Sequence, residues 1–95
     1  MEKEKEYEKE LQELLELLET RQYTKLRQYL ATQNEADIAL IMEELDHQDM
    51  LKTFRILPKD LAADVFSYLD VDNQHMIITS LSDKEAGGVI DHLMA

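Results

Sequence analysis

Residues 34–93 divide into five blocks of twelve: NEADIALIMEEL (34–45), DHQDMLKTFRIL (46–57), PKDLAADVFSYL (58–69), DVDNQHMIITSL (70–81) and SDKEAGGVIDHL (82–93). Each block closes on a leucine, Leu45, Leu57, Leu69, Leu81 or Leu93, at a strict spacing of twelve, and a fixed period is the signature of a repeat architecture. Three residues before each leucine stands Met42, Phe54, Phe66, Ile78 or Ile90, and four before it Ile41, Thr53, Val65, Ile77 or Val89. Seven before it stands Ile38, Met50, Ala62, Gln74 or Ala86. Steps of three, four and seven mark one face of a helix, so each block predicts one short helix. The block starts agree: Asn34, Asp46, Pro58, Asp70 or Asp72, and Ser82 are residue types that cap or open helices, and Ser82-Asp83-Lys84-Glu85 is a capping box. Asp37, Asp49, Asp60 and Glu85 fall in the first turns, where the helix dipole favours acids. A block leaves about eight or nine helical residues and a turn of three or four. A helix that short buries no core by itself, so the blocks must stack into a solenoid, whose handedness the pattern leaves open. Such stacks offer an extended surface and serve as interaction or lever modules rather than enzymes.

On the N-terminal side, EKEKEYEKELQELLELLE (2–19) places Tyr7, Leu11, Leu14, Leu15 and Leu18 at steps of three and four, predicting a longer amphipathic helix. Tyr23, Leu26 and Leu30 predict a second, shorter helix ending before Asn34. Residues 1–33 are thus an N-terminal helical region and 34–95 the repeat region, together one domain. At the far end, Gly87 and Gly88 sit within a helical block, where each costs about 1 kcal/mol against Ala. Either close packing on that backbone or fraying of the last helix is expected. The apolar ending Leu93-Met94-Ala95, without a capping repeat, predicts a fragment of a longer chain.

A chain of 95 residues and 11.1 kDa is one small domain. It buries only about 60 to 65% of its unfolded surface, which leaves little room for a deep catalytic cleft. With 44% hydrophobic and 33% charged residues, Gly 2, Pro 1 and Cys 0, the collagen-like, Gly/Pro-rich disordered and disulfide-stapled classes fall away. The absence of cysteine removes zinc ribbons and thiol redox chemistry. No stretch approaches the roughly 20 apolar residues that span a bilayer, and the charged start is no signal peptide, so this piece is expected to be soluble. The net charge of -11 repels phosphate backbones, excluding nucleic acid as a partner, and repels anionic lipid surfaces too. The charge is uneven. Residues 1–19 carry eight Glu against three Lys, residues 20–33 only Arg21, Lys25 and Arg27, and residues 34–95 thirteen acids against four bases. A surface that repels itself is relieved by divalent cations or a basic partner, while the plain alternative is simple solubility.

Catalytic motifs are lacking. Two glycines build neither a phosphate loop nor a nucleophile elbow, and Ser67, Ser80 and Ser82 lack the glycine bracket of a serine hydrolase. Asp70-Val71-Asp72-Asn73-Gln74-His75 begins like a calcium loop but has His75 where the turn glycine belongs and Leu81 in place of the bidentate Glu. His47, His75 and His92 lie in three different blocks, with no pair at the spacing of a helical zinc site. Glu43-Glu44 and the pair Asp60 and Asp64, which shares a helix face, would need burial and a raised pKa for acid/base work, so a solvated face is the simpler reading. No enzyme is expected.

Several pieces then align in order: the Leu-rich acidic helix; Leu26, Arg27 and Leu30; Glu35-Ala36-Asp37-Ile38-Ala39; LPKDLAADVFSYL (57–69); and SLSDKEAGGVIDHL (80–93). With the twelve-residue leucine register, they make the chain resemble, over essentially its whole length, the cytosolic N-terminal domain of MgtE-type magnesium channels. The resemblance implies an all-α, right-handed superhelix of short helices that precedes a pair of CBS domains in the same polypeptide, a connecting helix and a transmembrane pore, in a homodimeric protein. The domain would then sit at the cytoplasmic face of the cell membrane without inserting into it. It also implies a sensor: intracellular Mg2+ bridges acidic residues of this domain and the CBS domains, and so favours the closed pore. The position matching the acid on the helix after the LPK turn is Asp64, the expected metal ligand; as Asp rather than Glu it has a shorter reach. The further acids that the resemblance calls for would lie beyond Ala95, so this piece alone is expected to bind Mg2+ weakly. The alternative is a helical-repeat protein-interaction scaffold like the armadillo-like middle region of the flagellar motor switch protein FliG, indifferent to Mg2+.

Overall fold

The computed structural model describes the backbone of residues 2–94 and the side chains of residues 8–94. Tyr7, read above as the start of the first stripe, and Ala95 therefore lie outside the described side chains. The chain is all-α. Its helices run in the order α1 (Glu2–Glu19), α2 (Tyr23–Ala31), α3 (Glu35–Glu43), α4 (His47–Ile56), α5 (Lys59–Tyr68), α6 (Val71–Ser80) and α7 (Asp83–Met94), with no strand among the described residues.

The repeat works through its connectors. From α4 onward each junction is only two residues, Leu57-Pro58, Leu69-Asp70 and Leu81-Ser82, shorter than the three or four predicted. The C-cap leucines are extended, Leu57 at φ -59 and ψ 142, Leu69 at -75 and 153, Leu81 at -78 and 155. An extended residue cannot continue the helical hydrogen-bond ladder, so the chain reverses there. The same leucine then drives its side chain into the core, and Leu45, Leu57, Leu69 and Leu81 are all buried. The residue after it opens the next helix. Asp46 Oδ1 accepts from the Asp49 N–H and Asp70 Oδ1 from the Asn73 N–H, both at 2.8 Å, so Asp70 rather than Asp72 is the cap. Asn34 Oδ1 accepts from the Ala36 N–H at 2.8 Å. Pro58 offers no side-chain bond but brings a fixed φ of -54 suited to a helix start. Ser82 and Glu85 form the reciprocal box, Glu85 N–H to Ser82 Oγ at 3.2 Å and Ser82 N–H to Glu85 Oε1 at 3.1 Å.

Alternate helices pack on one another. In one row α3 packs on α5 and α5 on α7; in the other α2 packs on α4 and α4 on α6. α1 lies against α2 and α3 through Leu14 and Leu18, both buried. The predicted stripes fill the space between rows: Ile38, Ile41, Met42, Met50, Phe54, Ala62, Val65, Phe66 and Ile77 belong to one continuous core, in which the Phe54 and Phe66 rings meet edge-on with centroids 6.1 Å apart. The polar intruders are satisfied. Fully buried Thr53 donates from Oγ1 to the Asp49 carbonyl at 2.8 Å, and Gln74 Nε2 donates to the Phe66 carbonyl at 2.9 Å. The stack is compact rather than extended: the radius of gyration is 12.9 Å, near the roughly 12 Å of a globular chain of this length.

Two features depart from the sequence reading. The fifth block keeps the spacing but not the burial: Ile90 and Leu93 are 44% and 43% exposed, and α7 buries no residue fully. Nothing packs on the glycines either, since a Cβ at Gly87 or Gly88 meets no atom within 4 Å, and α7 runs through both without a break. Separately, α1 ends in a Schellman motif, Gln22 N–H to the Leu17 carbonyl at 3.0 Å and Arg21 N–H to the Leu18 carbonyl at 3.2 Å, with Arg21 at φ 56 where glycine is the favoured residue.

Three stability measurements by urea unfolding follow. Leu69→Ala is expected to cost about 2 to 5 kcal/mol, whereas Leu93→Ala, at an exposed site, costs less than about 1 kcal/mol. Arg21→Gly is expected to stabilise by about 1 kcal/mol, because the left-handed conformation penalises every side chain.

Candidate functional site

Asp64 lies on α5, where the core-facing set is Ala62, Ala63, Val65 and Phe66. That spacing turns Asp64 outward, and it is exposed. Its backbone carbonyl accepts from Ser67 Oγ at 2.7 Å, but no hydrogen bond or ion pair engages its carboxylate among the described residues. Asp60, one turn earlier, is taken: its Oδ1 is 2.6 Å from Nε2 of His92 on α7. The Asp60 and Asp64 pair is therefore split in role, one carboxylate linking helices and the other facing solvent.

Some of the other acids are committed to the fold, while Asp37, Glu44, Asp72, Asp83 and Asp91 are exposed like Asp64 and have no side-chain hydrogen bond or ion pair among the described residues. Glu43 Oε1 accepts the Asp70 N–H at 3.2 Å, linking α3 to the start of α6, which leaves Glu43-Glu44 no free dyad. Glu85 is gripped by Arg55, Nε to Oε2 at 3.0 Å and an Nη2 contact to Oε1 at 3.3 Å, while the same Arg55 nitrogen reaches the Ser80 carbonyl at 3.4 Å. The Arg55 hydrogen bond first, and the Ser82 backbone N–H after it, hold the Glu85 carboxyl below the usual carboxylate range. On the N-terminal side, burial first and then Glu10 and Glu13 push the Tyr29 hydroxyl up, and that buried oxygen has no hydrogen-bond partner among the described residues. Among those residues no three His, Cys, Asp or Glu side chains are grouped so as to hold a metal ion.

An open cleft of about 520 Å³ lies between α7 and the α4–α5 junction, with Phe54, Leu57, Ala62 and Leu81 in its floor and Lys59, Lys84 and Asp91 at its rim. No helix among the described residues is long and apolar enough to cross a membrane.

A family model described as the MgtE intracellular N domain matches residues 33–95. The chain belongs to this family. The family is that of a magnesium transporter's N-domain, a transporter family rather than an enzyme family. The match starts at residue 33, beside the Asn34 cap of α3, and takes in all five blocks as well as Asp64. No curated protein matches the chain.

Arg55 was not among the predicted site residues. It sits one residue after the core position Phe54, facing outward, and its partner Glu85 is 30 residues away. Nothing in the local pattern pairs them, because the pairing depends on how α4 meets the α6–α7 turn.

The ion pair gives a pH test. Glu85 has its folded pKa depressed, so its contribution is present above the ordinary carboxylate range and is lost as pH falls through the folded value. In urea unfolding at a series of pH values, the stability difference between wild type and Glu85→Gln is expected to be present at pH 7 and to shrink below about pH 4.

Proposed function

We propose that this domain is the regulatory N-domain of a magnesium transporter, and that it senses intracellular Mg2+ by ion-bridged docking onto CBS domains of the same polypeptide, thereby gating the pore. The observation that carries the reading is the match to the MgtE intracellular N domain over residues 33–95, within which Asp64 is an exposed carboxylate with no partner among the described residues. The charge of the chain supplies the switch. A domain of net charge -11 is repelled by another acidic surface, and the repulsion falls when a divalent ion sits between carboxylates on the two. Mg2+ then shifts the population toward the docked state by its preference for the bridged arrangement. Asp64 supplies one ligand, water and the CBS domains the others, and the domain works at the cytoplasmic face of the membrane in a homodimeric protein.

The test on this chain is a Mg2+ titration followed by 15N NMR. Amide shifts centred on residues 60–68, saturating only at millimolar Mg2+ and lost in Asp64→Asn, are expected. Shifts centred elsewhere, or unchanged by Asp64→Asn, would remove Asp64 from the site, and submicromolar stoichiometric binding would contradict a shared site.

A further inference from the structure

We propose that Tyr68 and Val71, with Leu40 near them, form an apolar anchor beside Asp64 against which the docking partner packs. The anchor belongs to the docking surface described above, and in that respect it rests on that reading. Among the described residues outside α7, the large exposed hydrophobic side chains are Tyr23, Leu40, Tyr68 and Val71. Scattered singly, such residues are ordinary, but three of these four gather around one hydrogen bond, in which Glu43 Oε1 on α3 accepts the Asp70 N–H at 3.2 Å. Tyr68 and Val71 stand on either side of Asp70 in the chain, and Leu40 lies about one helical turn before Glu43. Tyr68, Val71 and Leu40 are 57%, 76% and 55% exposed.

This exposure belongs to the register of the repeat. Two blocks of twelve earlier, the positions of Tyr68 and Val71 are held by Glu44 and His47, and that of Asp64 by Leu40. Glu44 and His47 are exposed as well, although α5 packs on α3 and α6 on α4 there. The stack turns these positions outward wherever they occur, and polar residues fill them without loss to the core. Tyr and Val are therefore not required by the fold. Asp64 and Tyr68 stand four residues apart on α5, so the carboxylate and the aromatic ring share one helix face. A magnesium ion held by one or two carboxylates and its own waters gives a contact little area. An exposed Tyr with an aliphatic neighbour supplies area, and Tyr is enriched at the centre of protein interfaces where acids are depleted. The occupant that fits is a protein surface with an apolar recess beside its own carboxylates, which in the docking reading is that of the CBS domains. An anionic lipid surface does not fit, because Glu44, Asp64 and Asp72 on this side repel it. Since the apolar contact does not depend on the ion, it lowers the Mg2+ concentration at which docking is half complete.

Analytical ultracentrifugation with the CBS pair added as a separate protein, across a Mg2+ series, tests this. Combined Tyr68→Ser and Val71→Ser is expected to weaken the complex about tenfold at millimolar Mg2+. It is also expected to raise the Mg2+ midpoint while leaving the urea midpoint of the domain unchanged. Tyr68→Phe is expected to bind like wild type. A double variant within about twofold of wild-type affinity, alongside loss of the complex in Asp64→Asn, would overturn the anchor and leave the ion-bridged docking standing. A complex independent of Mg2+ and of Asp64, yet weakened in the double variant, would support the anchor and remove the ion bridge. No complex of the wild type at any Mg2+ concentration would overturn both.

Discussion

The structure depends on a leucine placed at the C-cap in an extended conformation. One residue there does two jobs. Its backbone stops the helix, and its side chain enters the core between the rows, as Leu57, Leu69 and Leu81 all do. A ten-residue helix plus a two-residue connector makes twelve, and the period of the sequence is the period of that reversal. Since the connectors are two or three residues long, alternate helices are brought side by side, and the stripes have one space to fill. The negative charge is then placed by exclusion: caps and first turns take part of it, and outward positions such as Asp64 take the rest.

Much of this was legible because it is local. Helix count, the stripes, the caps at Asn34, Asp46 and Ser82 and the capping box all follow from neighbours within four residues, where helical geometry is fixed. The exposed position of Asp64 follows from the same arithmetic, because Ala62, Val65 and Phe66 occupy the inner face. What escaped depends on the path of the stack. Arg55 with Glu85, His92 with Asp60 and Glu43 with the Asp70 N–H join residues 27 to 32 apart, and no spacing rule selects those partners. The fifth block escaped for a related reason. Leu93 repeats the pattern of Leu81, but burial requires a neighbour on the far side, and among the described residues none covers it.

From Leu14 to Leu81 the buried residues make one continuous core. From α3 to α5 the stripes interlock around Phe54 and Phe66, which suits a part that moves as a rigid piece. Asp64 stands on that rigid part, on a helix whose inner face is held by four buried residues, so its carboxylate is presented in a defined place. An ion-bridged contact needs such placement, because Mg2+ demands near-octahedral geometry and tolerates little slack in its ligands.

The most direct measurement of the sensing account is the association of this domain with the CBS pair of an MgtE-type transporter, added as a separate protein and followed by analytical ultracentrifugation. The account predicts a complex at millimolar Mg2+ that dissociates on chelation and is lost with Asp64→Asn. Association that is the same with and without Mg2+, or none at any Mg2+ concentration, would contradict it, and the Mg2+-independent complex would favour a helical-repeat scaffold instead.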